Sequence, residues 1–524
     1  MLFVGYLVFW FELYVLDTSK GSTSIAGWLI FAVLSVISLF QCRKLLISAV
    51  ESLFECSRKR TRFEKLVILL CSIACVFIIG VTVKASFLPP HFPQEYDTIN
   101  YHITLPRQHL INNSFDHLSW SAADLYFMPI DVALSPFWLS TELPNKIPQI
   151  FFVFGLMLVV ASIFNVFNRD SILGKFFIVF AILGSHNISI QMGVGMLDIA
   201  ICYLFFAAVD SWLRKDHFLA LVEFNFLFWS KSFMPIMMSL LIVGVFIAVF
   251  ALKSFGFKKV AILSEDIQGK FKGNGKGFIV MFLAVSMVIG GPFIAKSIKY
   301  TGSPLFPFFV GDVNLNPNLD GRSDSMVQIQ EVSKRILNTK DQYGSGRGPA
   351  EFLKHLWLIS VPEKDVNNRY DYPIGLPYLL CFGPFVYLLF DSLKKKRIEL
   401  CSILIFVYWV LWWMGSQQTR FLYIPIICMY MLVISQKKFL TGVFQIGILI
   451  SLLLISISVF RAHKGDLGKS KYEVLRQKDR DLLAMAKDVD RSKSTKLSFE
   501  DAAFANFPIV ATNHYNSVFV LKTK

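Results

Sequence analysis

Three carboxylates and two cations stand out by position. Asp97 and Asp131 lie in one polar stretch between long apolar runs, Asp198 opens an apolar run, Lys231 separates two of them, and Arg420 precedes a late one. A carboxylate beside a hydroxyl can take its proton. A lysine or arginine can face a phosphate, the arginine with two parallel hydrogen bonds. Base and cations together suit transfer of a group that leaves a phosphate behind. Each residue alone has a plainer account. Asp97 fits a polar loop, Asp198 fits a packing pair between helices, and Lys231 and Arg420 fit the membrane interface, where long cations keep their heads in water. Glu12 and Glu223 also fall within apolar runs, where structural pairing is the simpler expectation.

These residues depend on the elements around them. The 524 residues are 54% hydrophobic and 17% charged, with a mean hydropathy of +0.54. A soluble chain of this length needs far more polar surface, so the surplus apolar residues must face lipid. The runs Leu2–Leu16, Ala26–Phe40, Leu66–Phe87, Ile147–Phe167, Phe176–Ile190, Val194–Leu213, Phe218–Ser230, Ser232–Leu252, Gly277–Ala295, Ile374–Phe390, Leu400–Met414, Phe421–Ser435 and Phe439–Phe460 read as about 13 membrane spans. The expected fold is an all-α integral membrane protein. Residues 1–460 form its transmembrane domain and residues 461–524 a small extracytoplasmic tail.

Charge sets the direction. With the basic segment Gln41–Lys65 inside, the later short basic segments also fall inside, among them Lys253–Lys276 and Ser392–Arg397. The N-terminus is then cytoplasmic, as a retained span. Residues 88–146, 296–372 and the tail face outward, so Asp97, Asp131, Asp198, Lys231 and Arg420 share one face of the membrane. Leu118–Met128 reads as a surface-lying amphipathic stretch, Asn314–Gly321 and Gly344–Gly348 as turns, Tyr472–Val489 as helical and Ile509–Leu521 as strand-like.

The net charge of +15 follows this inside pattern, which argues against nucleic acid as a partner. The eight cysteines show no metal spacing and sit in apolar runs or the basic segment, which argues against a disulfide framework and a zinc site.

Several local patterns resemble the GT-C superfamily of polyprenyl-phosphate-sugar glycosyltransferases, in the branch of bacterial protein mannosyltransferases and the lipid A aminoarabinose transferase. They are Tyr96-Asp97-Thr98-Ile99-Asn100-Tyr101-His102 with Pro106, Met128-Pro129-Ile130-Asp131, Asp198 with Trp229-Ser230-Lys231, Tyr300-Thr301-Gly302-Ser303-Pro304-Leu305-Phe306-Pro307, and Gln417-Gln418-Thr419-Arg420-Phe421. Their order is similar over roughly residues 66–435. Asp131 stands where the family has Glu, Ser303 where it has Asn, and Ser230 where it has Thr. The resemblance implies a GT-C-like helix arrangement and inverting sugar transfer from a polyprenyl-phosphate donor to a hydroxyl of a glycolipid, polysaccharide or protein. It implies Asp97 as the base, with Tyr101, His102, Asp131, Asp198, Lys231 and Arg420 binding substrate. Asp97, Asp131 and Asp198 also offer oxygen ligands for a divalent cation. A lipid or lipid-linked oligosaccharide transporter and a polysaccharide polymerase or ligase are the competing readings. The expected location is a bacterial inner membrane.

Overall fold

The computed structural model describes residues 2–14, 61–90, 95, 97–118, 122–139, 145–167, 172–257, 259–261, 275–310, 333–334, 337–338, 343–360, 370–471, 473–474, 496–497, 510–511 and 519–522. The expected span Ala26–Phe40, the turn Asn314–Gly321 and nearly all of Tyr472–Val489 lie outside these residues.

The protein is a helical membrane protein. Its described helices are α1 (Leu2–Tyr14), α2 (Arg62–Ser86), α3 (Thr104–Asn112), α4 (Pro129–Leu139), α5 (Ile147–Phe167), α6 (Ile172–Leu183), α7 (Asp198–Leu213), α8 (His217–Phe228), α9 (Met234–Ser254), α10 (Gly275–Ile289), α11 (Gly291–Thr301), α12 (Pro349–Leu358), α13 (Leu376–Lys394), α14 (Leu400–Met414), α15 (Tyr423–Ile434) and α16 (Gly442–His463), with a single turn at His186–Ser189. Among the described residues five are long and apolar enough to cross a membrane: α2, α5, α9, α13 and α16. The pair α10 and α11, bent by 57° at their junction, makes a sixth candidate if counted as one span.

The count of about 13 therefore does not emerge as full-length helices. Five apolar segments form helices of 10–17 residues. The run Phe176–Ile190 breaks at Gly184 and Ser185, where the Ser185 hydroxyl joins Tyr430 at 2.8 Å. The run Val194–Leu213 becomes helical only from Asp198, because Gly193 turns the chain at φ 86°.

Apolar side chains on the outer surface mark the lipid-facing side. On α9, Phe246, Ile247 and Phe250 are 72%, 63% and 74% exposed. A band of such residues along a long helix has no stable place in water. Inside the bundle, α7 packs against α5, α8 and α15, and Ala200, Cys202 and Phe206 are sealed from solvent. Between helices in lipid the gain comes from close van der Waals packing, since lipid tails are as apolar as the side chains.

Two features fix the ends of the bundle. The strands Lys259–Ala261 and Arg397–Glu399 pair in parallel, with Lys259 opposite Arg397. The two basic segments they belong to therefore lie at the same end. At another place a buried ionic knot ties residues 109–124 to α11. The Asp124 carboxylate accepts from Lys296 Nζ at 2.7 Å, from the Leu118 amide at 2.7 Å and from His117 Nδ1 at 3.2 Å, and it meets His109 Nε2 at 2.6 Å. Ala122–Leu125, within the stretch Leu118–Met128, is a 3-10 turn that carries Asp124 into this knot. In the tail, strands Val510–Ala511 and Phe519–Lys522 pair antiparallel, as the strand-like pattern of Ile509–Leu521 predicts.

Candidate functional site

The site is assembled from chain ends, where helices stop and side chains can turn toward one another. Asp97 immediately precedes a π-helical turn, Thr98–His102, that leads into α3. Such wide turns are rare and push side chains out of the ordinary helical register, and this one carries both Tyr101 and His102. Asp131 lies in the first turn of α4 and Asp198 in the first turn of α7, where the unpaired amides favour a carboxylate. Lys231 sits in the short link between α8 and α9, and its carbonyl accepts the Met234 amide at 2.9 Å. Arg420 lies on a 3-10 turn, Thr419–Leu422, just before α15.

These residues, distant in the chain, meet. Lys231 Nζ donates to Asp198 Oδ1 at 2.7 Å. Arg420 lies within 3.4 Å of Asp97, 3.2 Å of Asp371 and 3.9 Å of Asp198. His102 Nδ1 joins Asp131 Oδ2 at 3.1 Å. Tyr101 lies beside Asp97 and Arg420, and its ring centre is 4.3 Å from that of His102. Lys231 and Arg420 both stand over the Phe421 ring, at 5.3 and 5.4 Å. All seven residues singled out from the sequence thus belong to one neighbourhood.

The eighth member, Asp371, was not singled out. It sits at φ 68°, in the left-handed region. Two bonds from Thr419 bring it to Arg420: the amide donates to the Tyr370 carbonyl at 3.0 Å and the hydroxyl donates to the same oxygen at 2.9 Å. Gln418 Nε2 adds a bond to Asp371 Oδ1 at 3.3 Å. The usable signal is a carboxylate just ahead of the apolar run Ile374–Phe390, much as Asp198 stands near the start of Val194–Leu213.

Burial raises the Asp371 carboxyl above its ordinary range, with Arg420 opposing the shift. Burial likewise raises Asp131, and His102 opposes it. The polar valences are not all spent. Asp198 Oδ2, Asp371 Oδ2, Arg420 Nε and Asp131 Oδ1 are buried without a properly aligned hydrogen-bond partner, although the charges stand close. Buried groups in this condition call for a ligand or water. Asp97 is the most open of the four carboxylates, with a side chain 25% exposed against 16% for Asp371, 3% for Asp198 and 1% for Asp131.

Asp97, Asp131 and Asp198 do not form a metal cradle in this arrangement. Asp131 is engaged by His102 and Asp198 by Lys231. Among the described residues no three His, Cys, Asp or Glu side chains are grouped to hold a metal ion. The cation shared by Asp97, Asp198 and Asp371 is the guanidinium of Arg420.

The segment Tyr300–Pro307 has a supporting role. Tyr300 and Lys299 hold Asp116, each at 2.9 Å, and the Ser303 hydroxyl donates to the Phe308 carbonyl at 2.6 Å. No known family model matches the chain, and no curated protein matches it.

Proposed function

We propose that the protein is a membrane glycosyltransferase that moves a sugar from a polyprenyl-phosphate donor to a hydroxyl acceptor, with inversion at the anomeric carbon. The observation that carries this reading is the meeting of Asp97, Asp198, Lys231 and Arg420 beside the lipid-facing bundle. The isoprenoid tail suits the apolar surface, and the phosphate suits Lys231 and Arg420. As the bond to the sugar breaks, the phosphate gains charge, and cations already in place stabilise it. Asp97, the most open carboxylate, is the base for the acceptor hydroxyl. No step is assigned to a divalent cation.

The membrane in this reading is a bacterial inner membrane, with the N-terminus in the cytoplasm and the site outside. The pairing of Lys259–Ala261 with Arg397–Glu399 supports it, because two segments assigned to the inside lie together. Glycolipid, polysaccharide and protein acceptors all carry a suitable hydroxyl.

Transport of a lipid-linked sugar is the second reading, favoured by the bent pair α10–α11, since broken helices line many transport paths. One experiment separates the two. Labelled polyprenyl-phosphate sugar is offered to the purified chain in vesicles with a glycolipid acceptor. Transfer, or slow release of free sugar, supports the enzyme, and movement of intact donor across the bilayer supports the transporter. Asp97→Asn is expected to lower transfer by about 100-fold or more; transfer at the unsubstituted level would remove Asp97 from the base role.

A further inference from the structure

His102 is held in a way that transfer by Asp97 alone does not require. Its Nδ1 faces Asp131 Oδ2 at 3.1 Å, and Asp131 is almost wholly buried. A carboxylate placed so accepts the Nδ1 proton, fixes the ring orientation, and leaves Nε2 as the working nitrogen. Asp131 is anchored by α4, which packs on both α1 and α3. Its second oxygen, Oδ1, has no hydrogen-bond partner, and Asp131 lines a small cavity with Asn145, Lys146, Gln149 and Gly195.

The pair also lies on a particular side of the site. His102 is close enough to influence Asp198, and Lys231 is close enough to influence Asp131. The dyad therefore borders the Lys231–Asp198 pair, where the reading above seats the phosphate. The groups near the imidazole are Asp131 from α4, Asp198 from α7 and Tyr101 from its own turn, with Lys231 from the link after α8 near both carboxylates.

We propose that His102, held by Asp131, is the proton donor to the leaving phosphate of the lipid carrier. Asp131 is its positioning residue. This rests on the transferase reading and adds a second proton-handling group to it. In the step, the acceptor oxygen bonds to the anomeric carbon and its proton passes to Asp97. The bond from that carbon to the phosphate oxygen breaks, and the electron pair stays on the oxygen. The Nε2 proton of His102 moves to that oxygen. Asp97 then loses its proton to water, and His102 regains one, so the cycle closes without other reactants. A carboxylate beside the ring stabilises the charged imidazolium that the step requires.

The test uses the full chain in vesicles with labelled polyprenyl-phosphate sugar and measures transfer, or release of sugar to water. The expected result for His102→Gln, which keeps a hydrogen-bond donor for Asp131, is a rate lower by about 100-fold or more. His102→Gly is expected to regain turnover when imidazole is added, a rescue that a merely structural histidine would not show. Asp131→Asn is expected to lower kcat with little change in KM. Turnover of His102→Gln matching wild type, while Asp97→Asn is inactive, would overturn the dyad and leave the transferase standing. A wild-type chain that neither turns over the donor nor binds polyprenyl phosphate would overturn both.

Discussion

Lys231, from the link between two helices, places its ammonium 2.7 Å from the carboxylate of Asp198 at the start of a third. The Asp198 side chain is 3% exposed and that of Lys231 19%, so neither charge is well served by water. Removing one member leaves the other buried and unpaired. Lys231→Ala is expected to destabilise the fold by about 3–5 kcal/mol, while a matched apolar replacement of both residues recovers much of the loss. Thermal unfolding of the two single variants and the double variant in detergent checks this. Additive losses would show that the pair is not coupled.

Asp124 gives a pH prediction outside the spans. Burial would raise its carboxyl, but Lys296 and His109 outweigh burial and hold it well below the ordinary value of 3.8. The folded form therefore binds its proton less readily than the unfolded form. The stability this contributes is fully present above the ordinary value and is lost as pH falls through the lower folded one. Unfolding temperature should fall on acidification below about pH 4, and Asp124→Asn should flatten that part of the curve at a lower starting stability. The same acid sensitivity in Asp124→Asn and wild type would place its origin elsewhere.

Asp371 behaves in the opposite sense. Burial raises its carboxyl, and Arg420 only partly offsets this. The contribution is present below the ordinary value of 3.8 and is lost as pH rises through the raised one. Asp371→Asn is expected to raise the unfolding temperature at neutral pH and to weaken turnover by releasing Arg420 from one of its three carboxylates. A lower unfolding temperature at neutral pH would mean that the Arg420 contact outweighs the burial.

Gly344 marks the close approach of residues 343–348 to the turn that carries Arg420. It lies at φ 89°, and an added Cβ would fall 1.5 Å from Gln417 Oε1. Gln417 in turn donates to the Gly346 carbonyl at 2.8 Å. Gly344→Ala is expected to cost at least about 1–2 kcal/mol from backbone strain alone, and the displaced Gln417 should disturb Arg420. Donor turnover and thermal unfolding together test it, and a variant unchanged in both would show that this approach is not needed.

The helices were legible where apolar runs are bounded by clear breaks. Ile147–Phe167 and Leu400–Met414 form helices with the very limits that hydropathy marks. Phe176–Ile190 was not, because hydropathy cannot see a serine hydroxyl bonding to a tyrosine on a distant helix. The site was legible through charges out of place, as with Asp198 and Arg420. Asp371 escaped because it follows a polar segment where a carboxylate is unremarkable, and its capture depends on the bonds of the Thr419 amide and hydroxyl to the Tyr370 carbonyl. The pairing of His102 with Asp131 also needed tertiary structure, since it depends on the packing of α3 on α4.

The opening helix is clasped by parts of the chain far downstream. A Cβ on Gly5 would fall 2.3 Å from the Ala133 carbonyl oxygen, and the Tyr6 hydroxyl donates to the carbonyls of Val288 and Ile289 at 3.1 and 2.9 Å. Leu2–Tyr14 cannot take its final seat until Ala133, Val288 and Ile289 have also been synthesised. During synthesis it must wait, with the carboxylate of Glu12 still to be sheltered. The seating of this helix is therefore a late event, and a fault in it would surface only after the chain as far as Ile289 had been made.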